Sequence, residues 1–357
     1  MAKRPNTNDN QSPFADRKQW LFMALFVVIA AVSVWAVMSQ DFSPAEFGAY
    51  VKGASFPWLI MALVSMLGFI LFEALALLVL CRAFGYRPRL WNGYIYSASD
   101  IYFSAITPSA TGGQPASAYF MMKDGMSGMT VTATLIANLC MYTLSIIVIG
   151  LICLFGRFDI FLQYSLPSQV LIAVGFLMQV GLLLFFYMVL RREKLLHRMC
   201  SAVLRLLCRM RLLRRQEEKQ QKLDAYMERY REDARAISGH TGAMVLCFLF
   251  NLLQRASQIA VTMFVYAATA GVSLWQAAEL WFWQGYVVLG SNCIPIPGGM
   301  GVSDYLMLDG FRNMMTENQA VNLELLSRSF SFYSCVIICG ISVFIQYCVV
   351  KKRGRLK

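Results

Sequence analysis

Two short stretches gather the residue types with which a polypeptide backbone can itself hold a ligand. The first is Thr107-Pro108-Ser109-Ala110-Thr111-Gly112-Gly113-Gln114-Pro115, a run of hydroxyls, glycines and one amide. The second is Asn292-Cys293-Ile294-Pro295-Ile296-Pro297-Gly298-Gly299-Met300-Gly301-Val302-Ser303-Asp304, where two prolines precede three glycines in four residues. Proline removes a helix donor and glycine opens dihedrals closed to other residues. A helix interrupted in this way exposes backbone donors and acceptors, and its half-helix N-termini favour a phosphate or another anion. The plainer alternative is a flexible polar loop. Neither stretch has the Lys-Ser/Thr that follows the glycines of a Walker A loop, so nucleotide hydrolysis has no support.

Ionisable residues inside apolar surroundings carry the second signal, because a charge in a bilayer needs a partner or water. Glu73 sits mid-run in Phe72-Glu73-Ala74, and Asp100 lies in the first interrupted region. Asp304 closes the second glycine motif, and Arg328 precedes Ser329 and Ser331 in the last apolar segment. Arg255 and Gln254 interrupt another apolar run after Asn251. Glu73, Asp100 and Arg255 are candidates for coupling ions or for tying helices together, and a simple interhelical ion pair explains Glu73 or Arg255 equally well. Arg328 and Asp304 are a plausible pair. No catalytic residue stands out: His197 and His240 flank a basic linker and no motif pairs them. Neither a cofactor nor a metal is expected, and with no CxxC the cysteines read as small apolar packers.

The elements that must position these residues are membrane helices. The chain of 357 residues is 58% hydrophobic and only 15% charged, and its mean hydropathy is +0.53. Several windows, including Leu21 to Met38, Phe56 to Leu80, Val170 to Leu190, Met244 to Tyr266 and Ser331 to Val350, approach or reach spanning length, and Val131 to Phe155 is read as a further crossing. One such window can be a buried core helix; five cannot. Bulky Trp35, Val37 and Met38 end the first run where a signal peptide would place small residues, so it reads as a retained anchor.

The net charge of +12 orients the chain. Arg191 to Arg235 hold fourteen Lys/Arg against seven acids, and Lys351, Lys352, Arg353, Arg355 and Lys357 end the sequence. Arg82, Arg87 and Arg89 follow the second apolar run. The positive-inside rule puts all three clusters, and both termini, in the cytoplasm. Counting crossings under that constraint leaves the two interrupted regions, Trp91 to Met122 and Leu274 to Phe311, to enter and leave on one side each. The expected fold is an all-α polytopic membrane protein with about six full transmembrane helices and two re-entrant helical hairpins in an inverted repeat; eight shorter full spans is the rival. Residues 1–19 read as a cytoplasmic tail, 20–350 as the transmembrane domain and 351–357 as a second tail. Residues 191–240 form a basic amphipathic linker suited to anionic membrane lipids. Positive-inside bias already explains its charge, so no nucleic-acid partner is expected. Trp91, Tyr94, Tyr96, Tyr102, Tyr119, Trp281, Trp283 and Tyr286 read by default as an interfacial belt.

The two motifs together resemble the transmembrane, flippase-like region of the lysylphosphatidylglycerol synthase family, known from bacterial multiple peptide resistance factor proteins. The likeness rests on Thr107-Pro108 to Gly112-Gly113 with Ala118 and Tyr119, on Pro295 to Gly301, and on Arg328, and it runs over roughly residues 20 to 350. Gln114-Pro115-Ala116 stands where the family often has an acid and then an arginine, and Asp304 where it commonly has glutamate. The resemblance implies a bacterial inner-membrane protein that flips an anionic or aminoacylated phospholipid. Its headgroup would contact Thr107, Gly112, Gly113, Gln114, Pro297, Gly298, Gly299, Gly301, Asp304 and Arg328. In that scheme Arg328 engages the phosphate while Asp304 orients it or receives an amine, so that Arg328→Ala impairs flipping more than abundance. The sequence ends at Lys357 without a large soluble domain, so the chain reads as the translocating half alone. A lysyltransferase and a non-transporting lipid-binding scaffold are the alternatives, and a homo-oligomer or a separate lipid-modifying enzyme are candidate partners.

Overall fold

The computed structural model describes residues 44–107, 111–191, 198, 201, 202, 240–292, 294 and 301–355, which form helices and short turns with no strand among them. The expected first span at about 20 to 38 and most of the basic linker at 191–240 lie outside the described residues. The helices are α1 (Pro44–Lys52), α2 (Phe56–Ala83), α3 (Leu90–Ile106), α4 (Gly113–Lys123), α5 (Gly128–Gly156), α6 (Phe158–Gln163) and α7 (Leu166–Arg191). After the linker come α8 (Thr241–Ala270), α9 (Leu274–Ser291), α10 (Val302–Phe311) and α11 (Glu317–Arg328). A π-helical turn at Ser329–Tyr333 then joins α11 to α12 (Ser334–Arg355).

Local sequence accounts for the boundaries. Pro57 sits in the first turn of α2, where its missing N–H costs nothing. Ser127 caps α5 by accepting the N–H of Thr130, and Ser273 with Gln276 forms a capping box on α9. Among the described residues, five helices are long and apolar enough to cross a membrane: Phe56–Ala83, Gly128–Gly156, Leu166–Val189, Thr241–Ala270 and the composite Glu317–Val349. Helix α2 shows why they belong in lipid. Met66, Ile70, Leu77 and Cys81 face the protein interior, yet its outer face is equally apolar, with Ile60, Leu63, Val64, Leu67 and Leu71 exposed. A water-facing helix would be polar there.

The described chain falls into two similar halves. Each runs from a long helix (α2, α8) through a shorter helix, an interruption and a helix of 10 or 11 residues (α3–α4, α9–α10) to a second long helix (α5, α11–α12). The leading helices α2 and α8 pack on each other along most of their lengths. The interrupted pairs exchange partners: α3 lies on α12, at the end of the other half, and α9 lies on α5. Helix α7 packs on α5 and α9 at the periphery.

Three of the belt aromatics are core residues instead. Tyr96, Trp283 and Tyr286 are fully buried. Each tyrosine hydroxyl finds an acceptor, Tyr96 on Asp124 and Tyr286 on the carbonyls of Cys153 and Arg157, which makes their burial tolerable. Trp91 and Tyr119 remain exposed.

Candidate functional site

The first interruption is closed by its own side chains. Thr107 ends α3 in extended backbone, donates its hydroxyl to the Phe103 carbonyl at 2.6 Å and accepts the Gly112 N–H at 2.8 Å. Helix α4 then starts against α3 so closely that a Cβ on Gly113 would sit 2.0 Å from Asp100 Oδ1 and 2.6 Å from the Asp100 carbonyl oxygen. Only glycine fits there. That approach lets Gln114 Nε2 donate to Asp100 Oδ2 at 2.7 Å, while Ser104 donates to Oδ1 at 3.2 Å.

The second interruption is held by charge. Gly301, at φ +84°, leads into α10, and its N–H is accepted by Asp304 Oδ2 at 2.8 Å. The other Asp304 oxygen binds Arg328, which also donates to Ser303 Oγ. On the far side of the guanidinium, Glu324 Oε1 lies 3.4 Å from Arg328 Nε. Asp304 therefore caps a half-helix and anchors an arginine at once, and Arg328 is neutralised by two buried carboxylates. Pro297, Gly298 and Gly299, like Pro108, lie outside the described residues.

Between the interruptions, the α2–α8 pair carries Glu73 and Arg255. Glu73 Oε2 accepts from Ser97 Oγ and from Gln254 Nε2, each at 3.1 Å, and its carboxyl neighbours that of Asp100. The Arg255 guanidinium lies over the Tyr142 ring, 4.3 Å from its centroid, and donates to Gln258 Oε1. Tyr142 in turn donates its hydroxyl to Asn292 Oδ1 at 2.9 Å, tying this cluster to the end of α9.

These groups open onto one cavity of about 520 Å³. The first half contributes Glu73, Asp100 and Gln114 to its wall; the second contributes Arg255, Ser303 and Arg328. Several polar atoms around it are buried with no hydrogen-bond partner among the described residues: Gln114 Oε1, Gln254 Oε1, Gln284 Oε1, Arg255 Nε and, behind Arg328, Glu324 Oε2. Buried polar atoms are seldom left unpaired, so such a wall is built for water or a polar ligand. Among the described residues no group of three or more His, Cys, Asp and Glu is arranged to hold a metal.

Of the residues singled out in the sequence, Glu73, Asp100, Gln114, Arg255 and Arg328 meet at the cavity. Thr107, Gly112, Gly113, Gly301 and Asp304 shape the interruptions behind it. Sequence reasoning passes over Glu324, although an acid four residues before an arginine on one helix is a readable pair. It also passes over Tyr142, Gln258 and Gln284, single residues in ordinary helical runs. The sequence matches the family described as the lysylphosphatidylglycerol synthase TM region over residues 22–339. No curated protein matches the chain.

Proposed function

Because the chain belongs to the family of the lysylphosphatidylglycerol synthase transmembrane region, and is thereby a multi-pass membrane protein with a lipid-related role, we propose that it translocates an anionic or aminoacylated phospholipid, such as lysyl-phosphatidylglycerol, between the leaflets of a bacterial inner membrane. The single observation that carries this reading is the cavity lined by charged and amide side chains from both halves. Moving a polar headgroup through hydrocarbon costs its hydration. A protein wall of carboxylates, guanidinium groups and amides replaces water contact while the acyl chains stay in lipid. In this scheme Gln114 and Arg328 touch the headgroup, Asp304 and Glu324 hold Arg328 in place, and Thr107, Gly112, Gly113 and the 297–301 turn set the distance between the half-helices.

The matching course of the two halves supports an inverted repeat of six full crossings and two re-entrant hairpins, with 20–350 as one transmembrane domain and tails at 1–19 and 351–357 in the cytoplasm. The basic segment 191–240 would then rest on anionic lipid, and a homo-oligomer or a separate lipid-modifying enzyme would be the protein partner.

Reconstitution tests the function directly. Protein in liposomes carrying lysyl-phosphatidylglycerol in the inner leaflet should speed its appearance to an impermeant amine reagent, relative to protein-free liposomes. A rate no faster than that of protein-free liposomes would end the translocation reading. Formation of new lysyl-phosphatidylglycerol from phosphatidylglycerol and lysyl-tRNA would make the chain a lysyltransferase instead.

A further inference from the structure

The cavity holds two arginines, and only one of them has its charge already spent. Arg328 is bracketed by Asp304 and Glu324. Arg255 has no carboxylate within 4.0 Å among the described residues, although it stands midway along the spanning helix α8 and is only 9% exposed. Its immediate partners are neutral: the Tyr142 ring, Gln258 Oε1 and, at 3.4 Å, Asn292 Oδ1. Its Nε has no acceptor among the described residues. A buried guanidinium with neutral neighbours and an empty donor is costly to keep in a membrane and marks a functional position.

We propose that Arg255 is the residue that binds the anionic phosphate of the ligand in this cavity. The proposal deepens the lipid-translocation reading and rests on it for the identity of the phosphate carrier. A planar fork is suited to a phosphodiester, because two parallel N–H donors match two non-bridging oxygens. The Tyr142 ring fixes the plane of the fork from one face, and the Tyr142 hydroxyl bond to Asn292 fixes the ring. Gln254, Gln258 and Gln284 supply neutral contacts around the anion without competing for the charge. Glu73, on the first-half wall, is near enough to attract Arg255 electrostatically but makes no ion pair with it within 4.0 Å, so the guanidinium keeps donors for an anion.

The test compares binding of short-chain phosphatidylglycerol with that of uncharged diacylglycerol of the same chain length, using purified protein in nanodiscs of zwitterionic lipid. Wild type should prefer the anionic lipid, and Arg255→Gln should lose about tenfold or more of that preference, the worth of one charge-assisted hydrogen bond. Because an unpaired buried charge has been removed, its melting temperature should equal or exceed that of wild type. Arg255→Lys keeps the charge without the fork and should fall between the two; it carries the comparison if Arg255→Gln does not fold, and an unchanged preference in Arg255→Lys would then overturn the role of the fork. An Arg255→Gln protein that folds and keeps the wild-type preference overturns the proposal while leaving translocation by wild type intact. Free glycerol 3-phosphate forms the third arm. If it competes at the lipid's own concentration and only when Arg255 is present, the anion site stands, but its ligand is a soluble phosphate and the lipid assignment falls. Absence of translocation by wild type in the proteoliposome assay, with Arg255-dependent binding retained, overturns the transport reading alone.

Discussion

In the first half the helix is interrupted by shape: Thr107 staples the chain end of α3 to Gly112, and α4 is pressed onto Asp100 through the missing side chain of Gly113. In the second half the same break is held by charge, with Asp304 binding the Gly301 N–H through one oxygen and Arg328 through the other. The walls differ accordingly. The first half presents carboxylates to the cavity, Glu73 and Asp100; the second presents guanidinium groups, Arg255 and Arg328. Two halves of like architecture thus make a chemically lopsided chamber, which a symmetric pair could not do. Architecture constrains helix lengths and partners, whereas one or two residues per helix decide polarity.

Breaking the charged side should have the largest effect. Arg328→Ala leaves Asp304 and Glu324 buried against each other and should cost about 3–5 kcal/mol of stability, read as a lower melting temperature of the detergent-solubilised protein. The sequence alone predicts that flipping suffers more than abundance; the second carboxylate, Glu324, adds a cost in stability to that loss. Restoring neutrality with Asp304→Asn and Glu324→Gln in the Arg328→Ala background should recover a good part of the loss. A triple variant no more stable than Arg328→Ala would contradict the clamp.

The shaped side comes next. Gly113→Ala forces a methyl group into Asp100 and should cost up to about 3 kcal/mol, an overpacking penalty that the α3 backbone oxygen makes hard to relax. Gly301→Ala meets no atom within 4 Å and is limited to its positive φ, so about 1–2 kcal/mol is expected in the same thermal assay. A reversed order of these two would mean that the interruptions are not built as described.

The smallest effect lies outside the membrane segments. Arg157 binds Asp159 and also Glu279 at 2.8 Å, linking the α5–α6 junction to α9 across the halves. Both partners are substantially exposed, so Glu279→Gln should cost no more than about 1 kcal/mol. The Arg157 guanidinium holds the Asp159 carboxyl below its ordinary range. A lowered carboxyl contributes above its unfolded value and loses that contribution as the pH falls through its folded one. Acid titration of melting temperature should therefore steepen below the ordinary carboxylate range in wild type and less so in Asp159→Asn.

The helices were legible because lipid demands long apolar runs, and Pro and Gly mark their interruptions without help from tertiary structure. Glu73, Asp100, Arg255 and Arg328 were legible for the same reason, as charges where hydrocarbon should be. Their grouping was not. Tyr142, Gln258, Gln284 and Glu324 come from different helices, and which of their faces point inward depends on how α2 and α8 cross, information that no local window contains. Tyr96 and Tyr286 misled the reading in the opposite direction, since an interfacial tyrosine and a buried one with a hydroxyl partner look alike until the partner is found.

The π-helical turn at Ser329–Tyr333 closes one residue later than an α turn, with the Ser334 N–H and hydroxyl both returned to the Ser329 carbonyl. An α-helix turns about 100° per residue, so one lodged residue changes the angular phase of everything that follows it. The composite helix α11–α12 is therefore two screws joined out of step. Upstream of the joint, Glu324 and Arg328 are aimed at Asp304; downstream, Gly340 and Ser342 meet Tyr102 and Tyr94 of α3. Deleting one residue from this turn would bring the two screws into step, and the arginine and the α3 contact would then compete for the same orientation of a single rod.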